Sequence, residues 1–510
     1  MKTLRLILGD QLNSKHSWFS SEDSDVLYCM FEMRQETDYV KHHIQKVIGF
    51  FAAMREFANQ LEENGHRIKY LKLNDKSNKQ SLTENLGNLI EQHSITNFQY
   101  IEPDEYRLDK QLEEFCKTIS IKVDVFKSEH FYTERNDLKQ FFKGKKQFVM
   151  EYFYRDMRKK HNILIKNSEP EGGKWNYDKS NRKKWKGNPE IPNFIAFNNN
   201  VDEVLKEIEK ANIKTIGYFE DTSFEYPITR AQALNQLKYF CENLLKHFGD
   251  YQDAMHTKET YLFHSRLSFA LNLKLISAKN VVSTILNYYN QHSDIIDISQ
   301  VEGFIRQIIG WREYMRGMYW MLMPDLSHEN YLENNNPLPD FYWTANTKMN
   351  CMKHAIQNSL DNGYAHHIQR LMVTGNYALL TQTNPNEVDD WYLGIYVDAI
   401  QWVQLPNTRG MSQFADGGNI ATKPYVSSGS YIQKMSSYCN DCHYNYKNKT
   451  EDNACPFNSL YWNFLDEKRS YFKNNNRMKM MYHVLDKMNK SDLKAIKDRA
   501  QHIINNPNDF

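Results

Sequence analysis

No apolar run in this chain approaches the length needed to cross a bilayer, and nothing near its start resembles a signal peptide. We therefore expect a cytoplasmic protein with no membrane partner. Charge of one sign is also missing: 64 Lys and Arg stand against 63 Asp and Glu, a formal net charge of +1. Any nucleic-acid partner must then be gripped by local basic patches and not by a global field. No Gly-x-Gly-x-x-Gly follows the first apolar strand, so the ordinary dinucleotide fingerprint is absent. Cysteine is scarce as well, with seven in 510 residues. In a reducing cytoplasm these thiols are not expected to pair as disulfides.

Their placement is informative. Cys439-Asn-Asp-Cys442 offers two thiolates from one turn, Cys455-Pro follows after a short loop, and Cys351 stands well upstream. The set has the ligand arithmetic of a [4Fe–4S] cluster or a structural zinc. The Cys-Pro ending and the all-thiolate donors lean toward iron. Cys29, Cys116 and Cys241 lie in apolar surroundings and read as small core residues.

What is present is a globular composition, 41% hydrophobic and 25% charged, in a chain long enough for at least two domains. Residues 1–130 alternate strand and helix. Apolar runs at 4–8, 26–31, 68–73, 95–101 and 121–126 predict strands, and helical spacing predicts helices over 40–61 and 81–93. The order predicts an α/β domain, a parallel sheet covered by helices, with ligands at the carboxyl ends of its strands. Residues 131–230 read as an interdomain connector. There Lys174-Trp175 and Arg182-Lys183-Lys184-Trp185 interleave cations with aromatics, which suits phosphate contacts and base stacking. A solvated connector is the plainer alternative. Residues 231–510 read as an all-helical domain.

Three segments of the helical part carry a resemblance. His264-Ser265-Arg266-Leu267-Ser268 heads a predicted helix, where hydroxyls and amides suit a diphosphate, although a Ser-capped helix looks the same. It resembles the Thr-Ser-x-Leu-Ser segment that holds the flavin diphosphate in photolyases and cryptochromes. Gln307 leads into Trp311-Arg312-Glu313-Tyr314, which resembles that superfamily's Trp-Arg-Glu-Phe motif with an additional Gly310. His366-His367-Ile-Gln-Arg370-Leu371 resembles its Met-His-Asn-Arg-Leu segment. With the cysteine spacing and Asn453-Ala-Cys455-Pro456-Phe457-Asn458, the resemblance narrows to the iron–sulfur bacterial cryptochromes and photolyases, the prokaryotic (6-4) photolyases. It covers essentially the whole chain.

That resemblance implies the photolyase/cryptochrome fold and three cofactors. FAD is implied in the helical domain against His264, Ser265, Leu267, Ser268, Gln307, Trp311, Arg312, Glu313, Asp398 and Asn407, with Gln404 or Asn407 near flavin N5. A [4Fe–4S] cluster is implied on Cys351, Cys439, Cys442 and Cys455. A 6,7-dimethyl-8-ribityllumazine antenna is implied in the α/β domain against Gly9, Asp10, Glu36, His42 and Phe50. Phe50 stands where a smaller aliphatic side chain is expected.

The implied activity is light-driven repair of (6-4) photoproducts in double-stranded DNA, by a monomer that is nucleoid-associated when bound. The damaged pair is flipped into the flavin pocket. The alternative is a cryptochrome, a blue-light signalling flavoprotein without repair. His367 falls where (6-4) photolyases carry the catalytic His, which makes it the proton donor. His366, beside it on the predicted helix, orients or contacts the lesion. Leu371 stands where animal enzymes have a second His, leaving Tyr425 and Tyr431 as candidates for a second acid. Trp391, Tyr392 and Trp343 are placed in the photoreduction path, while Tyr396, Trp402 and Trp462 read as core. Lys174, Arg182, Lys183 and Lys184 are the expected DNA contacts.

Overall fold

The computed structural model describes residues 2–220 and 222–510. Strands β1 (Thr3–Leu6), β2 (Val26–Phe31), β3 (Ile68–Leu71), β4 (Asn97–Ile101) and β5 (Lys122–Phe126) form one parallel sheet in the order β3-β2-β1-β4-β5. Helices α1 (Ile44–Glu63), α2 (Leu82–Gln92) and α3 (Tyr106–Thr118) make the crossovers that parallel neighbours require. With both faces covered, β2 is buried along its whole length. The strand order reverses between β1 and β4, the switch point at which sheets of this kind bind ligands.

Alternating side chains divide between two cores. Leu4, Leu6, Leu27 and Cys29 pack with Leu86 and Leu112 in a core confined to this domain. Ile7, Tyr28 and Met30 join Ile48 and Phe57 of α1 in a core continuous with Leu379, Trp391 and Phe464 of the helical region. The sheet therefore shares one face with the helices. Where the spacing predicts a helix from residue 40, α1 starts at Ile44. His43 sets that start: its Nδ1 accepts the Gln45 N–H (3.1 Å), its Nε2 meets the Leu360 carbonyl (2.9 Å), and its own N–H is spent on Gly394.

Residues 131–230 carry the helices Asp137–Phe141, Met150–Lys160 and Asp202–Lys210 and two short strand pairs, with irregular chain between them. Helices then run from Arg230 to Asn505. Arg306–Arg312, Arg370–Thr374 and Pro406–Ser412 wind as π-helix, a widened turn that gathers at functional sites. All three wall one cavity. Gly310 sits in the first because a Cβ there would meet Met150 Sδ and Tyr154 Cδ2 at 3.2 Å, where the helix Met150–Lys160 crosses.

Candidate functional site

The cavity in the helical region measures about 830 Å³, within the roughly 300–1,000 Å³ of small-molecule sites. Its wall includes Arg266 in a left-handed backbone conformation (φ +56), an unfavourable geometry for a side-chain-bearing residue. That turn inserts its guanidinium among the rings of Tyr261, Tyr226 and Phe194 at 4.1, 4.7 and 4.8 Å. Its Nε and Nη2 are buried without a hydrogen-bond partner. Arg312 lies over the Trp402 indole at 4.7 Å and donates to Asn272 Oδ1 (2.6 Å) and the Leu271 carbonyl (3.1 Å), with Nε unpartnered. Burial lowers its pKa to about 10. Neither guanidinium has a carboxylate partner within ion-pair reach among the described residues, so the two together ask for an anion. A diphosphate supplies one. Arg370, by contrast, is paired with Asp398 at 3.0 Å.

His264, Ser265, Leu267, Ser268, Gln307, Trp311, Arg312, Asp398 and Asn407 all line this cavity, as does Gln404. Glu313 does not. It is buried on the opposite side of its helix, where its carboxylate accepts the N–H groups of Tyr132 (3.0 Å) and Thr133 (3.1 Å) and ties down the connector. One residue past Arg312 the helix has turned by about 100°. His264 lines the wall with both ring nitrogens facing backbone carbonyls, of Tyr261 (2.9 Å) and Gln252 (3.1 Å). Arg266 is the cavity residue that the motif reading passed over, because it fills the variable position of Thr-Ser-x-Leu-Ser.

Both His366 and His367 line the cavity, with Tyr425, Tyr431 and Tyr392. They do not sit side by side within one helix. His366 is the N-cap of the helix His367–Gln369. His367 is open to the cavity, and burial among its other neighbours, then Arg370, lower its pKa to about 4. Burial pushes the phenols of Tyr425 and Tyr431 up. Asp253, absent from the sequence reading, shares the wall, and burial followed by Asp178 raises its pKa to about 6. A carboxyl poised there exchanges a proton near neutrality.

Trp391 and Trp343 lie outside the cavity. Trp391 is fully buried, and its indole meets the rings of Tyr392 and Tyr342 at 5.1 Å each. Trp343, next to Tyr342, is 40% exposed. Rings thus run from the cavity wall at Tyr392 through Trp391 to Tyr342, whose chain neighbour Trp343 lies at the surface. Trp402, read as core, is core and also more: buried to 1%, it walls this cavity and a second one.

That second cavity, about 130 Å³, sits at the β1/β4 switch point, and Gly9, Asp10, Glu36, His42 and Phe50 all line it. Glu36 is clamped by Arg107 (2.7 and 3.2 Å) and Asp10 by Lys274 (3.0 Å). Lys46 Nζ meets His42 Nδ1 (3.1 Å) and the Leu393 carbonyl (2.8 Å). Gly9 leaves the room: a Cβ there would meet Met54 Sδ at 2.9 Å. Apolar walls with carboxylates at the edge suit a flat, hydroxyl-bearing heterocycle.

The four cysteines come from three segments. Cys351 lies in the helix Asn350–Asn362, Cys439 and Cys442 in a loop, and Cys455 caps the helix Pro456–Glu467. The Cys351 thiol is pushed up by burial and then by the charges of Cys455, Cys439 and Cys442, so the sulfurs share one neighbourhood. Among the described residues no three such side chains close on a single ion. A multi-iron cube spreads its sulfur ligands wider than one zinc with bonds of about 2.3 Å, and the donor set fits it. The expected DNA cations are largely engaged: Arg182 with Asp178, Lys183 with Asp250 (2.8 Å) and Lys184 with the Gln433 carbonyl (3.0 Å). Lys174 is exposed, near the Tyr177 ring. No helix is long and apolar enough to cross a membrane among the described residues.

A parallel-sheet domain joined to helices around one large cavity is the photolyase/cryptochrome fold. Crystal structures of a class III photolyase from Agrobacterium tumefaciens and a cryptochrome from Synechocystis share it, with TM-scores of 0.53 and 0.55. They match 96% and 92% of this chain and 98% and 93% of their own, at 14% and 12% identity. A profile described as deoxyribodipyrimidine photo-lyase-related protein matches residues 5–224. A (6-4) photolyase from Agrobacterium fabrum is 41% identical over 504 residues, 97% of this chain and 98% of its own. The chain belongs to the deoxyribodipyrimidine photo-lyase-related family.

Proposed function

We propose that this protein repairs (6-4) pyrimidine–pyrimidone photoproducts in DNA with light absorbed by FAD seated in the large cavity. The observation that carries the reading is a convergence. Two carboxylate-free arginines suited to the flavin diphosphate and the open imidazole of His367 face one space. The full-length likeness to a (6-4) photolyase supports it. Bound flavin supplies the light-driven electron. The chain's own groups do the rest: Arg266 and Arg312 hold the anion, and Tyr392, Trp391 and Trp343 carry an electron inward from the surface. His367 donates the proton to the lesion. Burial and then Arg370 lower its pKa to about 4, and the phosphates of a bound duplex would act in the opposite direction.

The four cysteines hold a [4Fe–4S] cluster in this reading, the switch-point cavity takes the lumazine antenna, and Lys174 with Arg182, Lys183 and Lys184 meets phosphates of the damaged duplex. Tyr425 and Tyr431, on the same cavity wall, are the candidates for a second donor. The test is light-dependent repair of an oligonucleotide carrying one (6-4) lesion. His367→Asn should retain FAD and bind lesion DNA yet repair about 10²–10⁴-fold more slowly. Parental repair by that variant removes His367 from the role. A parent that photoreduces its flavin and repairs nothing is a signalling cryptochrome.

A further inference from the structure

Tyr438 directly precedes Cys439 and is buried, its ring stacked with His354 at 5.7 Å. Gln369 Nε2 donates to its hydroxyl (2.9 Å), and Gln369 Oε1 accepts the backbone N–H of His366 (3.1 Å). Because a backbone N–H is always a donor, the reverse orientation of the amide sets two donors against each other. As the helix N-cap, His366 Nδ1 accepts the Ile368 N–H (3.3 Å). A neutral His366 therefore carries its hydrogen on Nε2. That atom is buried and makes no well-formed hydrogen bond, with only the Ala254 carbonyl beside it, in a residue that walls the cavity, while His264 stacks on the ring at 4.6 Å. A buried donor so poorly satisfied is uncommon unless a ligand shares its hydrogen.

We propose that Tyr438 and Gln369 are a positioning pair for the repair reaction. They pin the N-cap turn so that His366 offers Nε2–H to a carbonyl or hydroxyl oxygen of the flipped pyrimidine pair. Neither side chain lines the cavity, so both act through His366. The role of His366 toward DNA rests on the repair reading, and its tautomer does not.

Tyr438→Phe removes one hydroxyl, Gln369→Leu breaks both contacts, and Gln369→Glu keeps an acceptor for the His366 N–H while Tyr438 turns to donate. Four quantities are measured on holoprotein: flavin and iron content, affinity for lesion DNA, repair per absorbed photon, and the imidazole nitrogen spectrum after ¹⁵N-histidine labelling. His366 is assigned in that spectrum with His366→Gln. The parent should show His366 bearing hydrogen on Nε2 alone. Tyr438→Phe and Gln369→Leu should blur that pattern and lower repair per photon about 10- to 100-fold, with lesion affinity unchanged. Gln369→Glu should restore both.

A parental nitrogen pattern and parental repair in Tyr438→Phe overturn the proposal, as does a parent with the hydrogen on Nδ1. If Gln369→Leu loses flavin, Tyr438→Phe decides. If the parent repairs no (6-4) lesion, the functional reading fails, and the nitrogen spectra of parent and Tyr438→Phe still decide whether the pair positions His366.

Discussion

Trp402 lines two cavities, and the two differ in size and in the sign of the charge they offer. The helical cavity is about 830 Å³ and presents Arg266 and Arg312 with no carboxylate to neutralise them. The switch-point cavity is about 130 Å³, and its carboxylates Asp10 and Glu36 are already clamped by Lys274 and Arg107. A buried cation left unpaired is costly, and it persists where a ligand completes it. A satisfied carboxylate edge makes no such demand. The large cavity is thus built to be completed by an anion, whereas the polar groups of the small one are satisfied as they stand.

Removing the shared wall is the harshest way to break that contrast. Trp402→Ala should cost about 3–5 kcal/mol of stability, as for other buried Trp truncations, and should lower retention of both ligands. Denaturant unfolding of holoprotein measures the first and absorbance the second. A stable variant with full flavin would mean that the wall separates nothing. The charge half of the contrast is tested by Arg312→Met. A hydrogen bond from a charged donor is worth about 1.5–3 kcal/mol, so FAD affinity should drop roughly 10- to 100-fold, with the switch-point cavity unaffected. Equal loss of both ligands would make the effect one of folding.

Acid attacks both sides. Burial lowers the pKa of His42 beside the small cavity, of His366 and His367 in the large one, and of His43 between sheet and helices, the last to about 4. In the unfolded chain each takes up a proton near pH 6.5; in the fold it does not. Stability is therefore intact above about pH 6.5 and falls as the pH drops toward 4. His43 alone should cost about 2 kcal/mol by pH 5. Unfolding midpoints measured between pH 7.5 and pH 5, expected to fall steadily over the acid half, check this; a flat profile would sink it.

Much of this was legible in the residues, for stated reasons. The run of β2 is apolar at every position because helices cover both faces of a parallel sheet, and period and length coincide there. The cavity wall was legible through motif segments, since hydroxyls and amides at helix starts mark anion sites. Position within a motif was less so. Glu313 follows Arg312 in the chain but faces the connector, because adjacent helical residues diverge. Arg266 occupied a variable position, and its value lies in a left-handed turn among aromatic rings that no local pattern encodes. Trp402 is as buried as any core residue, and only the assembled structure shows that it lines two cavities.

The gentlest probe of the contrast is Glu36→Gln. Glu36 and Arg107 are about one-third exposed, and Arg107 keeps Glu105 at 2.7 Å when Glu36 loses its charge. Partly exposed ion pairs contribute about 0.2–1 kcal/mol, so the unfolding midpoint should barely move. FAD content should stay parental, since Glu36 has no place in the large cavity. The one sizeable change should be in lumazine, whose hydroxyls lose a charged acceptor at the cavity edge and whose absorbance should fall relative to flavin. Flavin falling in step with lumazine would mean that the two cavities fill as one unit. Unchanged lumazine would leave Glu36 as a surface ion pair and move the ligand's polar contacts to Asp10 and His42.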